Sequence, residues 1–230
     1  MRALAAELTG TAFLLMAVVG SGIMGEQLAG GNVAIALLAN AVATGAALVA
    51  LILAFGPVSG AHFNPAVSFV DAWQGGLTWR TAGGYAAAQT IGAIVGVGLA
   101  DYMFRAPIYS WSRHQRAGLA QAASEAIATF GLLAVIWGCS RRRTPAVAFA
   151  VGAYITAAYW FTASTSFANP AVTVARSLTD TFAGIRPADV PAFVAAQGAG
   201  AAAATMFCRW LAPGLPSTAD SVVLPHQDPE

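Results

Sequence analysis

Six apolar stretches, each close to the roughly 20 residues a helix needs to cross a hydrocarbon core, leave this chain few folds to choose from. They run over about Leu4–Gly25, Val33–Phe55, Ala82–Met103, Gly118–Cys139, Pro145–Phe161 and Val190–Leu211. Composition places them in lipid. Of the 230 residues 57% are hydrophobic and 9% charged, against roughly 25% charged in a soluble domain. The net charge is +1 and lysine is absent, so nothing in the charge balance suggests nucleic acid or an acidic partner. The first stretch shares Arg2 and small residues with a secretory signal, but Glu7 and the continuation of the apolar run to Gly25 read as a first spanning helix. Cys139 and Cys208 are isolated thiols near the ends of apolar runs. They make neither a disulfide framework nor a metal site and read as packing residues. The tail after Pro213 is polar and proline-rich, with disorder expected.

Two segments interrupt this pattern, Gly56–Trp79 and Thr162–Pro187, and each carries the same tetrapeptide: Asn64-Pro65-Ala66-Val67 and Asn169-Pro170-Ala171-Val172. Neither segment can cross as a helix once its Gly, Pro and Ser turn residues are set aside. Other residues repeat as well. Glu7-x3-Thr11 recurs as Glu125-x3-Thr129, and Tyr85-x3-Gln89 as Phe193-x3-Gln197. Each half therefore holds three spanning helices with the triplet between its second and third. Because three is odd, the second copy enters the membrane upside down relative to the first, the inverted-repeat plan of channels and transporters. The expected fold is an all-α membrane protein of six transmembrane helices and two re-entrant half-helices. It forms one channel domain over 1–212, with repeats at about 1–110 and 118–212.

Asn-Pro-Ala is a compact helix start: Asn is a leading N-cap, and Pro suits the first helical position because it has no N–H to leave unpaired. Helices from Asn64 to Trp73 and from Asn169 to Leu178 would each be ~15 Å long, half of a ~30 Å core. Entering from opposite faces, they would meet amino end to amino end near the midplane. Their dipoles then oppose cations, and each Asn amide can donate to a passing oxygen. The extended runs before them survive at membrane depth only by lining a wet cavity.

With these motifs in place, the chain resembles the major intrinsic protein family, the aquaporins and aquaglyceroporins, from about residue 4 to 211. The segment "SGAHFNPAV" is close to the family's first signature, and the repeated Glu and Gln positions match. The resemblance implies a homotetramer with one pore per subunit and passive flux of small neutral solutes. It also implies a filter ring. Family members usually place an Arg directly after the second triplet, where this chain has Val172. Spacing from the triplets gives Thr44, Ala157 and Ser166 as the other three positions. That ring has no aromatic, no His and no Arg, and looks wide. The segment from Tyr154 to Pro187 looks particularly like an aquaglyceroporin branch of bacterial arsenic-resistance operons, which is associated with downhill flux of arsenous acid, a neutral hydroxyl-bearing molecule near pH 7.

Several polar residues have two readings. Glu7 and Glu125 are either first-turn residues or, for Glu125 above all, buried carboxylates holding loop N–H groups, since intramembrane carboxylates usually have a job. Gln89 and Gln197 read as glue between helices. His62 lines a pore mouth or satisfies a turn. Arg176, one turn after Val172, either supplies the missing charge from farther out or pairs with Asp180 to anchor the loop. Gly92-x3-Gly96 and the run from Gly198 read as close-packing surfaces. Trp79, Trp137, Trp160 and Trp210 read as interfacial anchors. No catalytic residue, metal site or cofactor motif is visible.

With the amino terminus cytoplasmic, six Arg fall inside and five outside. Arg141, Arg142 and Arg143 in one short loop decide for that orientation, in a cell (inner) membrane. The passive channel is the main reading. An ion- or proton-coupled secondary transporter shares the inverted-repeat plan but needs a titrating group on its path. A junction-forming membrane protein would conduct nothing.

Overall fold

The computed structural model describes residues 1–140 and 146–211. Arg141–Arg143 and the tail after Pro213 lie outside the described residues. Eight α-helices make up most of the described residues: α1 (Arg2–Leu28), α2 (Val33–Ser59), α3 (Pro65–Gln74), α4 (Trp79–Met103), α5 (Leu119–Ser140), α6 (Ala146–Phe161), α7 (Pro170–Arg176) and α8 (Val190–Leu211). Five are long and apolar enough to cross a membrane, and α6 is a shorter apolar helix. Together with the half-helices α3 and α7 they form the expected inverted repeat.

Helix ends follow local chemistry. Asn32 caps α2, its Oδ1 accepting from the N–H groups of Ala34 and Ile35 at 3.1 and 3.3 Å. That helix runs to Ser59 rather than Phe55, with Pro57 inside its last turn, and stops where Gly60 turns left-handed at φ 81°, a conformation that costs glycine nothing. Helix α7 stops at Arg176 rather than Leu178. Ser177 and Leu178 donate three residues back, to Val174 and Ala175, so the last turn tightens into 3₁₀ geometry.

The two halves pack alike. Helix α1 lies against α2 and α4, α5 against α6 and α8, and α2 meets α6 across the halves. The closest crossings sit on glycines. A methyl at Gly92 would run into the Leu8 carbonyl oxygen, and one at Gly200 into that of Ala126. Gly198 faces open space, so the contact within that run belongs to Gly200. Trp79, Trp160 and Trp210 are exposed at helix ends, but Trp137 is 1% exposed and packs in the core. Its position near the end of an apolar run suited an anchor, whereas the face it occupies on α5 turns inward.

These crossings predict a contrast within one helix. Gly200→Ala, pushed against backbone that cannot rotate away, should lower stability by about 1–3 kcal/mol. Gly198→Ala should be neutral or stabilising by about 0.5–1 kcal/mol. Thermal unfolding in detergent would measure both, and equal melting of the two variants would contradict the packing described.

Candidate functional site: a pore between two half-helices

The site begins with two buried carboxylates. Glu7 Oε1 accepts from Ser59 Oγ at 2.6 Å and the His62 N–H at 3.0 Å. Its Oε2 accepts from the Phe63 N–H and from Gln89 Nε2, both at 2.7 Å. Glu125 does the same in the second half. It accepts from the Phe167 and Ala168 N–H groups at 2.9 Å each and from Gln197 Nε2 at 2.6 Å. Both glutamates are fully buried. Of their two sequence readings, the geometry is that of carboxylates holding loop N–H groups. The glutamines are held in turn, Gln89 on Ser68 Oγ at 3.0 Å and Gln197 on Thr173 Oγ1 at 2.8 Å. The loops need this support, because Ala61, Phe63, Thr165, Ser166 and Ala168 all sit at φ between 48° and 62°. Left-handed backbone costs a residue with a Cβ of order 1–3 kcal/mol. Among these residues, Phe63 and Ala168 donate directly to the carboxylates.

Each loop ends in an asparagine that does two jobs. Asn64 Oδ1 caps α3 on the Ala66 N–H at 2.9 Å, and Asn169 Oδ1 caps α7 on Ala171 and Val172 at 3.0 and 3.3 Å. Pro65 and Pro170 take the first helical positions. The side-chain amides cross over: Asn64 Nδ2 donates to the Ala168 carbonyl and Asn169 Nδ2 to that of Phe63, both at 2.8 Å. One N–H of each amide is thus committed to locking the two half-helices end to end, and the second remains for the cavity.

A narrow cavity, with about 60 Å³ open to the centres of water-sized molecules, passes both asparagines. Its wall is mostly aliphatic, from Leu14, Val18, Leu48, Ile52, Leu132, Ile136, Val151 and Ile155, with polar groups of Asn64, Asn169, His62, Thr44 and Ser166 set into it. Val172 lines it too. Ala157 does not: it is exposed on the outer face of α6. The residues of α6 that face the cavity are Val151, Ile155 and Tyr159, four apart, as one helix face requires. Counting back from Asn169 through an irregular loop put the register two residues off. Tyr159 lines the cavity in place of Ala157, and its hydroxyl shares a 3.3 Å hydrogen bond with Thr44 Oγ1. Ser166 Oγ has no partner among the described residues.

The charged residues of the two mouths also differ from expectation. Asp180 does not pair with Arg176. Its oxygens take the backbone N–H and Nε of Arg113 at 2.8 and 2.7 Å, and those bonds hold its carboxyl below the ordinary aspartate value. Arg176 is 2% exposed, lines the cavity and lays its guanidinium on the Phe167 ring, 3.4 Å from the centroid. Its Nε donates to the Ala183 carbonyl. Arg116, which no sequence motif singled out, ties three loops together through Gly184 O, Ser164 O and Asp189 Oδ2. At the other mouth His62 lines the cavity, its Nδ1 3.1 Å from Ser68 Oγ and its Nε2 3.8 Å from Asp71 Oδ2. Asp71 and Arg176 occupy matching places, seven residues after Asn64 and Asn169, a symmetry readable from the repeat.

A narrow cavity within an inverted repeat, passing between two locked half-helices, is the architecture of a membrane channel. The chain belongs to the major intrinsic protein family, whose family model matches residues 1–145. It is 55% identical over 206 residues to aquaglyceroporin AqpS of Rhizobium meliloti (strain 1021), covering 90% of this chain and 88% of that one. It is 39% identical over 118 residues to probable aquaporin NIP7-1 of Arabidopsis thaliana, covering 48% of this chain and 42% of the relative. The X-ray structure of the aquaglyceroporin from Plasmodium falciparum superposes with a TM-score of 0.75 at 20% identity, over 93% of this chain and 98% of that one, which shows a shared fold.

The carboxylate frame gives a direct test. Glu125→Ala leaves the Phe167 and Ala168 N–H groups and the Gln197 amide without their acceptor, at about 1–3 kcal/mol for each buried unpaired group. Folded yield and melting temperature in detergent should both fall well below wild type. Unchanged melting would show that the loop does not depend on this carboxylate.

Proposed function

We propose that the chain is a passive channel through which small uncharged solutes (water, glycerol-like polyols and undissociated oxyacids such as arsenous acid or methylated arsenicals) move down their gradients. The observation that carries this reading is a cavity lined by Thr44, Tyr159, Ser166 and Val172 that also passes Asn64 and Asn169; we take the first four as its filter ring. Three hydroxyls offer exchange partners for a solute's own hydroxyls, and the short Val172 leaves the fourth side open. An aliphatic wall opposite them binds nothing tightly, which suits rapid exit. Family membership supports water and glycerol as solutes. Arsenous acid rests on the likeness of the segment from Tyr154 to Pro187 to the arsenic-operon branch, and on its neutrality near pH 7. We further propose a homotetramer in the cell membrane with a cytoplasmic amino terminus. The test is a panel of water, glycerol, urea, arsenous acid and methylated arsenicals in proteoliposomes, with swelling expected for water and glycerol. Liposomes that pass none of them would refute the reading.

Two substitutions examine its parts. Val172→Arg inserts a planar group with five N–H donors where the ring is open, so glycerol and arsenous acid entry should fall far more than water entry in paired stopped-flow measurements. Proportional loss for all solutes would mean general blockage, and no change would mean Val172 does not set the constriction. Asn64→Asp or Asn169→Asp replaces an amide donor by a carboxylate and offsets the half-helix dipoles. Cation conductance should rise in assembled protein. Conductance at the wild-type level would move the midplane barrier elsewhere.

A further inference from the structure

We propose that Arg176 is the selectivity-determining cation of this pore, presenting its guanidinium to the cavity one helical turn beyond Val172. Residues 172 and 176 share a face of α7, and both line the same cavity. A guanidinium has five N–H donors, of which Nε alone is bonded among the described residues, to the Ala183 carbonyl. No carboxylate forms a salt bridge with Arg176 among the described residues, Asp180 being held by Arg113 and Asp189 by Arg186. Glu125, engaged with the loop N–H groups, acts on Arg176 only from a distance, and a buried charge with no salt-bridged partner is costly unless other polar groups meet it. The cavity that Arg176 lines supplies that contact in this reading. The Phe167 ring beneath them, at 3.4 Å, fixes the plane by cation–π attraction without using any donor. Arg116 stands 5.0 Å from the same ring, so the mouth carries two guanidiniums.

The plain alternative is that Arg176 only clamps the loop 177–185 through Ala183. One donor suffices for that, and it would not explain why Arg176 lines the cavity with no salt-bridged carboxylate among the described residues. A fixed cation at this position repels sodium ions and protons and offers paired N–H donors to the hydroxyls of a polyol or an undissociated oxyacid. The ligand class is therefore neutral and oxygen-rich.

The inference rests on the cavity being a solute path, and one set of proteoliposome measurements separates the two. Wild type, Arg176→Gln, Arg176→Lys and the double variant Val172→Arg/Arg176→Gln are compared for water flux, glycerol flux and proton and sodium leak per assembled channel. The wild type should be cation-tight. Arg176→Gln keeps an amide donor for Ala183 but removes the charge, so its leak should rise about a hundredfold, as expected for a unit charge about 5 Å from the path at an effective dielectric of about 20. Arg176→Lys should stay tight, and the double variant should regain tightness. A wild type that passes neither water nor glycerol sinks the channel reading itself. A conducting wild type with an Arg176→Gln variant equally tight to cations overturns only the present inference. Leak in the wild type, failure of the double variant to restore tightness, or loss of assembly in both variants that carry Arg176→Gln would likewise overturn it.

Discussion

A backbone N–H that enters a hydrocarbon interior outside a helix must find an acceptor there, and Glu7 and Glu125 supply it. Each unpaired group costs several kcal/mol in lipid, and two loops of this chain carry such groups to the centre of the molecule. The carboxylates take the N–H of Phe63 and Ala168, whose left-handed conformations no turn or helix would otherwise hold. Gln89 and Gln197 complete the carboxylate shells, and Ser68 and Thr173 on the half-helices orient the glutamines. A chain of bonds thus runs from a spanning helix through a loop to a half-helix and back to another spanning helix. Only with that chain in place do Asn64 and Asn169 reach each other's loops and fix the midplane of the pore.

The frame is symmetric and the chemistry along it is not. Where the first half has His62 beneath Tyr85, the second has Phe167 beneath Phe193, each pair edge to face at 5.6 and 5.3 Å. Where the first half has Asp71 facing the histidine, the second has Arg176 stacked on the phenylalanine. The two ends of the cavity therefore differ in chemistry, His62 lining one with Asp71 behind it and Arg176 lining the other. A duplicated fold can diverge in this way because the Glu–Gln frame, not the mouth residues, holds the loops.

The frame was largely legible from sequence. Caps, half-helices and buried glutamates follow from short-range rules, and the repeat fixed their pairing without any coordinates. What escaped lay across irregular backbone. Ala157 was placed in the ring by counting through the loop after α6, where helical register is lost. The spacing of Val151, Ile155 and Tyr159 on the helix itself carried the correct face. The Asp180 partner came from the stretch between α4 and α5, as did Arg116, and no local pattern announces a contact with a segment some seventy residues away. Trp137 shows the same limit: proximity to a helix end suggested an interface, while its rotation about α5 decided burial.

The central claim is that this path conducts neutral solute downhill with no coupled ion. The most direct test is glycerol entry into proteoliposomes measured with and without imposed proton and sodium gradients. The account predicts entry that ends at equal internal and external concentration, at rates indifferent to either gradient. Glycerol accumulation above the external level, or a rate that follows the proton or sodium gradient, would contradict it and return the molecule to the coupled transporters that share its inverted plan.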